Sequence, residues 1–468
     1  MSPINVYDVA GIRQLEAKAV ESGILETELM QRAAYAVFRA ISHYFPNVER
    51  VGIVVGGGKN GGDGLVLSTL LIEAGFAVSV YNVGGLLTDL ADHDLLIDAI
   101  CGIGLTKTLN TAAQTAVDAM NQANVPILAI DVPTGIHADT GIALGRPVNA
   151  ILTVTFIGLK TGLLDAEGIQ YTGKLIVDDL GLSPLLLESV KPIAFSSSLA
   201  DKIRELPKRH ANWHKGLSGH VLIIGGAPGF SGAPKMAALA ALRVGAGLVS
   251  VLMHEDHAAS FDNDHPEIMC HGMGEDRTML ETLINKVTVI AIGPGLGTLN
   301  WSKMLLERVV LAKQPLLLDA DALNMLAEME NIQRDNWVLT PHPGEAARLL
   351  HVERDDIQQH RIHSATQLAH RYGGVAVLKG ARTCVSDGKR CDISLLGNPG
   401  MATAGLGDIL SGMIGGLMAQ GLSCWNAATL GVLLHGQAGD LAAEDGMRGM
   451  VATDLLPYVR QLVSGISH

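Results

Sequence analysis

The sequence predicts an α/β protein of two domains in tandem, each a parallel sheet with helices on both faces. Three observations carry that prediction. Strand-length apolar runs alternate with runs of helical spacing along most of the 468 residues, the pattern of a parallel sheet covered on both sides. The alternation stops between Pro184 and Lys215, a stretch holding Pro192, Pro207, Ser196-Ser197-Ser198 and the basic pair Lys208-Arg209, and then restarts. Hydrophobic residues are 48% and charged residues 17%, which suffices for two cores and speaks against wholesale disorder. The domains are placed at 1–195 and 205–468.

Each element follows from its local pattern. Residues 8–45 carry apolar positions such as Leu29, Ala33, Ala36 and Val37 at helical spacing, and read as two helices around Gly23. Val51–Val55 is a strand, Gly64–Ala74 a helix, Ala77–Tyr81 and Asp94–Ala99 strands, Thr111–Asn121 a helix and Ile127–Ile130 a strand, with Ile151–Phe156 and Lys174–Val177 later strands. In the second half Val221–Ile224 is a strand, Pro234–Val244 a helix and Leu248–Met253 a strand. Val289–Ile292, Leu316–Leu318, Trp337–Thr340 and Ala376–Leu378 are further short strands. Ile409 to Gly439 lacks Asp, Glu, Lys and Arg but contains Gln420, Asn426, Gln437 and many glycines; it reads as two buried helices broken near Gly421 rather than a membrane span.

Charge and cysteine usage narrow the function classes. The net charge of −13 disfavours general binding to nucleic acid or to anionic membranes, while backbone N–H groups can still hold phosphates locally. Cys101, Cys270, Cys384, Cys391 and Cys424 are odd in number, widely spaced and form no C-x-x-C, which argues for a reducing, cytoplasmic setting and against a structural zinc site. The N-terminus carries Asp8, Arg13 and Glu16 and no apolar block of the length a secretory signal needs. No Walker A pattern and no G-x-S-x-G elbow occurs. The run His254-Glu255-Asp256-His257, with Asp262, Asp264 and His265, lacks metal-ligand spacing and reads as a solvated loop.

Chemistry-bearing residues gather at strand ends. Gly56-Gly57-Gly58-Lys59-Asn60-Gly61-Gly62-Asp63-Gly64 follows a strand and opens a helix, the arrangement of an anion site. A dehydrogenase fingerprint would also place an acid at the end of the next strand, and Tyr81-Asn82 stands there instead. Asp98 and the loop Gly102-Ile103-Gly104-Leu105 follow one strand, and Asp131-Val132-Pro133-Thr134-Gly135 follows another. Asn60, Asp98 and Thr134 either converge as hard oxygen ligands for a cation or include an Asp that caps its own turn.

The run Asn60–Gly64, the Asp98…Gly102-x-Gly104-Leu105 stretch and Asp131–Gly135 resemble the NAD(P)H-hydrate epimerase family over roughly residues 8–185. The resemblance implies a Rossmann-like three-layer domain that interconverts the R and S epimers of nicotinamide nucleotides hydrated at C6. It implies K+ held by Asn60, Asp98 and Thr134, and Asp131 as the acid/base. It implies substrate contacts at Lys59, Asn60, Gly61, Gly62, Asp63, Gly102, Ile103, Gly104, Leu105, Thr106, Lys107, Thr108 and Asp131. Lys59 stands where the family usually has a second Asn.

The second half repeats the logic. Glycine turns follow strands at Gly225-Gly226, leading to Ser231-Gly232-Ala233-Pro234, and at Gly293-Pro294-Gly295-Leu296-Gly297; each is a turn or a place where a ligand meets backbone. Asp319 and Asp321 at a strand end are ligands for Mg2+ or helix caps. His342, between Pro341 and Pro343, is presented by a stiff backbone and is either a ligand contact or a turn histidine. Lys379-Gly380-Ala381-Arg382-Thr383 ends a strand with two cations, apt for a nucleotide phosphate. Gly397-Asn398-Pro399-Gly400-Met401-Ala402-Thr403-Ala404-Gly405-Leu406-Gly407-Asp408 runs a small-residue loop into a helix start; its N–H groups can hold a transferring phosphoryl group while Asp408 accepts the hydroxyl proton.

Residues 205–465 resemble the ribokinase-like fold and, within it, the ADP-dependent NAD(P)H-hydrate dehydratases. That resemblance implies phosphorylation of the C6 hydroxyl of the S hydrate by ADP with Mg2+, followed by loss of phosphate to give NAD(P)H and AMP. Asp408 would be the base. Ala233, Gly297, His342 and Asp408 would contact the hydrate, and Lys379, Gly380, Ala381, Arg382, Thr383 and Gly407 the adenine nucleotide. Ala404 stands where the family usually has Gly, a substitution with a cost if that backbone needs φ > 0. The residues alone do not choose ADP over ATP. The resulting expectation is a fused bifunctional isomerase and lyase, a homo-oligomer acting on small-molecule nucleotides. The competing readings are a ribokinase-like kinase for a small alcohol, such as a thiamine precursor, and a chain with one catalytically dead half.

Overall fold

The computed structural model describes residues 3–165, 167–258, 265–274 and 276–465. The chain divides into one unit at Ile4–Phe195 and another at Ser196–His468.

In the first unit β1 (Ile4–Tyr7) leads to helices at Val9–Glu21 and Glu26–Tyr44, separated by Gly23 at φ +100°. The strands that follow are β2 (Arg50–Val55), β3 (Ala77–Asn82), β4 (Leu95–Ala99), β5 (Ile127–Ile130), β6 (Leu152–Phe156), β7 (Leu159–Lys160) and β8 (Lys174–Asp178). Six of them form a sheet in the order β3-β2-β4-β5-β6-β8, parallel throughout, while β1 pairs with β7. Strands β4, β5 and β6 are buried at every position, which is why they read as continuous apolar runs rather than alternating ones. One core lies between the sheet and the helices Val9–Glu21, Glu26–Tyr44 and Lys59–Glu73, with Leu15, Val37, Ile53, Leu67 and Ile97. A second lies against Thr111–Gln122, with Val54, Leu96, Val117 and Met120. The unit is a Rossmann-like sandwich of three layers.

The Gly-rich segment differs from expectation. The helix begins at Lys59, not Gly64, with Gly58 at its N-cap, so Lys59 to Gly64 are its first turns. Glycine normally weakens a helix, but packing decides here. A Cβ on Gly61 would stand 1.9 Å from the Gly56 carbonyl oxygen, so the helix can approach the turn only without one.

A short strand β9 (Ala194–Ser196) stands at the division. The second unit contains β10 (His220–Ile224), β11 (Leu248–His254), β12 (Ile268–Met273), β13 (Val289–Ile292), β14 (Leu316–Leu318), β15 (Trp337–Leu339), β16 (Val375–Leu378), β17 (Cys384–Ser386) and β18 (Cys391–Ile393). Their order is β12-β11-β10-β13-β14-β15-β16-β17-β18. The pairs from β12 to β16 are parallel; β16-β17 and β17-β18 are antiparallel. The charge-free stretch forms two helices, Leu406–Ala419 and Cys424–Ala442, with Gly421 at φ +94° between them. Among the described residues no helix is long and apolar enough to cross a membrane.

His254 ends β11, and Glu255–Ala258 is a helical turn rather than a loop. The His257 ring accepts a hydrogen bond from the Gly229 N–H at 2.7 Å, so this segment packs back on its own unit. Asp262 and Asp264 lie outside the described residues.

Candidate active sites

Both sheets reverse their strand order once; the first candidate site stands at the reversal, and the second runs from it along the carboxyl ends of β14, β15 and β16. In an open α/β sheet the loops at such a point diverge and leave a crevice at the carboxyl ends of the strands. In the first unit the reversal separates β3-β2 from β4 onward, and the Gly56 N–H donates to Ala99 O at 3.1 Å. In the second it lies between β10 and β13, where the Gly226 N–H reaches Pro294 O (3.3 Å) and the Ala227 N–H reaches Gly295 O (2.9 Å). Backbone contact is so close that a Cβ on Gly56 would meet Ile100 O at 2.2 Å, and one on Gly225 would meet Pro294 O at 1.8 Å.

In the first unit the register Asp98↔Ala129 sets Asp98 level with β5, and Asp131 stands just past the β5 end. Asp98 is fully buried. It accepts from the Thr134 N–H (Oδ2, 2.7 Å), the Thr134 hydroxyl (Oδ1, 2.7 Å) and the Ile100 N–H (Oδ1, 3.2 Å). The Thr134 hydroxyl in turn accepts from the Cys101 N–H at 2.9 Å. Asp98 thus does secure its own turn, yet all its partners are neutral, and burial pushes its carboxyl up to about 6. Asn60 is buried on the first turn of its helix, and among the described residues its Nδ2 has no hydrogen-bond partner.

Asp131 is a non-glycine residue at φ +67°, a conformation held only where surroundings impose it. Its Oδ1 meets the Lys160 ammonium at 2.5 Å and the Thr155 hydroxyl at 3.1 Å. Its Oδ2 and the Asn60 Oδ1 lie 3.3 and 3.2 Å from where a Gly102 Cβ would be, so the three residues share one spot. Burial pushes the Asp63 carboxyl up to about 8, with Asp131 and Glu16 adding to the shift and Lys59 opposing it. Glu16 is also raised, first by its own burial.

Of the other residues expected here, Ile103 packs on the first core and Leu105 on the second, while Gly104, Thr106, Lys107 and Thr108 are exposed. Gly62 packs against Met30. The Lys59 side chain is 69% exposed, and its ammonium lies 3.4 Å from Glu26 and 4.0 Å from Glu16, the acids it was drawn to at this position. Lys160, Thr155 and Glu16 were not anticipated. Lys160 did leave a signal: it is the sole charge between Arg146 and Asp165.

In the second unit a chain of polar contacts crosses the strand ends. The His342 ring nitrogen Nδ1 accepts from the N–H groups of Gly344 (2.9 Å) and Glu345 (3.2 Å), while Glu345 Oε2 accepts from the His342 N–H (2.7 Å). This is a capping box on the helix Pro343–Leu350, so the histidine has a structural duty beside any ligand contact. An accepting Nδ1 leaves the proton on Nε2, which points at Glu345 Oε1 at 3.3 Å. Burial and then Lys379 lower the His342 pKa, and the side chain is still 52% exposed.

Lys379 is central. Its ammonium lies 2.5 Å from Asp319 Oδ1 and 3.9 Å from Glu345 Oε2. Burial opposes the charge, but Asp319 and Glu345 outweigh it and the pKa rises. Asp319 Oδ2 also accepts from the Ser411 hydroxyl at 2.7 Å. Asp319 therefore caps no helix with its side chain, and Asp321 Oδ2 accepts from the Gly297 N–H at 3.0 Å. Burial pushes Glu345 up to about 7.

Gly405 is the N-cap of Leu406–Ala419 at φ +90°, which places Gly407 and Asp408 in the first turn. A Gly407 Cβ would be 3.4 Å from the Lys379 ammonium. Burial, and then Asp319, push Asp408 up to about 7 against the pull of Lys379. Ala404 is absent from the positive-φ residues, so the conformational cost weighed for it does not arise. His435, half-buried beneath this turn with its ring 3.1 Å from Leu406 O, is pushed down to about 4 by desolvation and is neutral.

Ala233 and Gly297 stand together at the reversal: a Gly295 Cβ would be 3.3 Å from the Ala233 Cβ, and a Gly297 Cβ 3.2 Å from that of Ala227. Within Lys379–Thr383 the side chains bond in separate directions. Lys379 turns to Asp319, the Arg382 guanidinium donates to Leu395 O at 2.5 Å, and the Thr383 hydroxyl donates to Gly380 O at 2.9 Å. Glu345, Ser411 and His435 were not anticipated: Ser411 and His435 are recruited from a distant part of the chain, and Glu345, three residues from His342, is drawn in by the capping box and by Lys379.

Comparison with known proteins bears on both halves. A family model described as NAD(P)H-hydrate dehydratase matches residues 221–461, and one described as YjeF-related protein N-terminus matches 26–93 and 85–162. The bifunctional NAD(P)H-hydrate repair enzyme of Coxiella burnetii is 43% identical, over 98% of this chain and 99% of that protein. Its namesake in Escherichia coli is 39% identical, over 99% and 94%. Among solved structures, a ribokinase-like superfamily protein from Enterococcus faecalis is 27% identical with a TM-score of 0.54, covering 58% of this chain and 96% of that one. An ADP/ATP-dependent NAD(P)H-hydrate dehydratase from Bacillus subtilis, co-crystallised with ATP/Mg2+, is 27% identical with a TM-score of 0.51, covering 58% and 98%.

Proposed function

The chain belongs to the bifunctional NAD(P)H-hydrate repair enzymes, and from that premise we propose a division of labour between its sites. Residues 1–195 epimerise the R and S hydrates of NAD(P)H. Residues 205–468 dehydrate the S form with ADP, releasing AMP and phosphate. The observation that carries this reading is one reactive carboxylate at the strand ends of each unit: Asp131 beside Asn60 and Gly102, and Asp408 in the first turn after Gly405, within reach of the charges of Asp319 and Lys379.

In the dehydratase site Asp408, with a pKa of about 7, takes the proton of the C6 hydroxyl. The oxygen attacks the terminal phosphorus of ADP, and AMP leaves. The N–H groups before Asp408, Gly407 among them, stabilise the transferring phosphoryl. Phosphate then departs from C6 with the bond electrons, and loss of a C5 proton restores the dihydronicotinamide. Hydroxide could not leave in this way; phosphate can. Ala233, Gly297 and His342 hold the hydrate, and Lys379 to Thr383 line the nucleotide side.

In the epimerase site Asp131 Oδ2 takes the C6 hydroxyl proton while the C6–N1 bond opens. Asp63, held protonated up to about pH 8, donates to N1. Reclosure on the other face returns both protons. Lys59, Asn60, Gly61, Gly62 and the loop Gly102 to Thr108 contact the substrate.

K+ fits at Asn60, Asp98 and Thr134 by the chemistry of the donors. The set offers oxygen, Asp98 is a buried carboxylate whose partners are all neutral, and the unpartnered Asn60 amide nitrogen leaves that amide free to turn its oxygen to a cation. When bound, the ion balances the buried charge of Asp98 and anchors the Asn60 turn. Mg2+ enters with the nucleotide phosphates. Among the described residues no group of three or more His, Cys, Asp or Glu forms a cage, and Asp319 and Asp321 are engaged by Lys379, Ser411 and Gly297, which suits a phosphate-borne ion. The cysteine pattern and the charge of −13 support a cytoplasmic protein that binds neither nucleic acid nor membrane. The family resemblance supports a homo-oligomer.

The test is recovery of dihydronicotinamide absorbance from mixed epimers of hydrated NADPH with Mg2+, K+ and ADP or ATP. Complete recovery is expected, abolished by Asp408→Ala and halted part-way by Asp131→Ala. No recovery with either nucleotide would overturn the reading, and a stable phosphorylated product would favour a kinase.

A further inference from the structure

The Lys160 ammonium is 1% exposed and meets three acceptors: Asp131 Oδ1 at 2.5 Å, the Thr155 hydroxyl oxygen at 2.8 Å and Phe156 O at 2.8 Å. An ammonium has three protons, so none is left for a ligand. Because the Thr155 oxygen accepts from Lys160, its own proton is free for Asp131 Oδ1 at 3.1 Å. The Phe156 N–H approaches the same oxygen at 3.4 Å. Every donor to the Asp131 side chain among the described residues thus converges on Oδ1. The other oxygen, Oδ2, faces Gly102 and Asn60.

A purely structural reason for this pair is weak. A buried ion pair costs desolvation, and apolar residues of similar volume often stabilise a fold as well or better. The pair also sits on a residue held at φ +67°. We propose that Lys160, with Thr155, is a positioning residue of the epimerase site: it pins one oxygen of Asp131, balances its charge and leaves Oδ2 as the single oxygen presented to substrate. The inference rests on Asp131 being the acid/base proposed above. Lys160 acts through Asp131 and touches no substrate.

The experiment uses the full-length protein, with epimer interconversion followed by NMR on a single purified epimer without ADP. Asp131→Asn should lower kcat by about 100- to 10,000-fold, the range of a lost acid/base group. Lys160→Met should lower kcat by about 10- to 100-fold with KM changed less than about threefold, because an interaction expressed in the transition state is lost rather than binding. Thr155→Val keeps both charges and should show a smaller fall of the same kind, so it carries the test if Lys160→Met folds poorly. In an Asp131→Asn background Lys160→Met should cost nothing more. A Lys160→Met enzyme within twofold of the parent in kcat would overturn the inference. So would a full additional loss in the Asp131→Asn background, which would mean that Lys160 acts on its own. An unimpaired Asp131→Asn enzyme would instead overturn the site reading, and the inference with it.

Discussion

In the first unit the buried lysine grips the aspartate that faces the ligand loop, Lys160 on Asp131. In the second it grips a different one, Lys379 on Asp319, and the Asp408 side chain has neither ion pair nor hydrogen bond among the described residues. Both arrangements place a cation beside a carboxylate at strand ends, but they hold the reacting aspartate differently. The ion pair fixes the orientation of Asp131 and leaves one of its oxygens for the ligand. Asp408 is crowded instead by burial and by Asp319, which push its carboxyl up to about 7. Each aspartate takes a proton in the reaction proposed for its site, and the contrast lies in how each is held: Asp131 by geometry, Asp408 by a neighbouring charge.

The largest effect should come from removing the second lysine. Lys379→Met leaves Asp319, whose side chain is 2% exposed, together with Glu345 and Asp408 and no balancing ammonium. Breaking one side of a buried pair costs about 3–5 kcal/mol. Urea unfolding of the full chain, followed at the transition that abolishes dehydration, should show that loss. A change under about 1 kcal/mol would mean that the pair is solvated and that the contrast drawn here is not electrostatic.

Next is Gly61→Ala, which puts a methyl group 1.9 Å from a backbone carbonyl that cannot rotate away. Overpacking of this kind costs about 1–3 kcal/mol. Epimerisation should fall while dehydration by the same protein persists. The matching change in the other half, Gly407→Ala, meets only side-chain atoms at ordinary contact distance, the Lys379 ammonium at 3.4 Å and Asp319 Oδ2 at 3.9 Å, so it should leave folding intact and raise KM for ADP. Equal loss of stability in both variants would erase the distinction between a glycine needed for packing and one needed for ligand approach.

The comparison sharpens with pH. Asp408 is protonated below about pH 7 and ionised above it, and only the ionised form can accept a proton. Dehydration measured as kcat/KM should fall about tenfold per pH unit on the acid side of 7. Because Lys379 lowers this pKa, any folded Lys379→Met enzyme should have its midpoint moved upward. A profile flat between pH 5.5 and 8 would show that another group takes the proton.

Much of this was legible in the sequence, for a physical reason. Buried parallel strands read as apolar runs, and a glycine or aspartate just past such a run stands where ligands bind. That is how Asp98, Asp131, Asp319 and the glycine turns were located. The partners were not legible, because ion pairs are closed by the fold: Lys160 lies 29 residues from Asp131, Lys379 60 from Asp319 and Ser411 92 from Asp319. Local propensity also misplaced the helix at Lys59, since three glycines argue against a helix that tertiary packing then requires. The antiparallel pair β17-β18 escaped because Cys-Val-Ser and Cys-Asp-Ile are not apolar runs, unlike the equally short Leu316–Leu318.

The smallest expected effect is at Ala404. The resemblance leads to an expectation of glycine there, and glycine pays only where the backbone is left-handed. In this chain the left-handed residue is the next one, Gly405 at φ +90°, and Ala404 has an ordinary backbone. Ala404→Gly should therefore destabilise slightly, by about 0.5–1 kcal/mol, through the extra freedom of the unfolded chain, with dehydration unchanged. Gly405→Ala should do the reverse of what the family pattern alone would suggest: its Cβ would enter a strained φ and press on Met236 at 2.7 Å, so the costlier change is at 405, not 404. If Ala404→Gly instead raised kcat severalfold, the loop before Asp408 would be held back by its alanine, and the second site would be the less finished of the two.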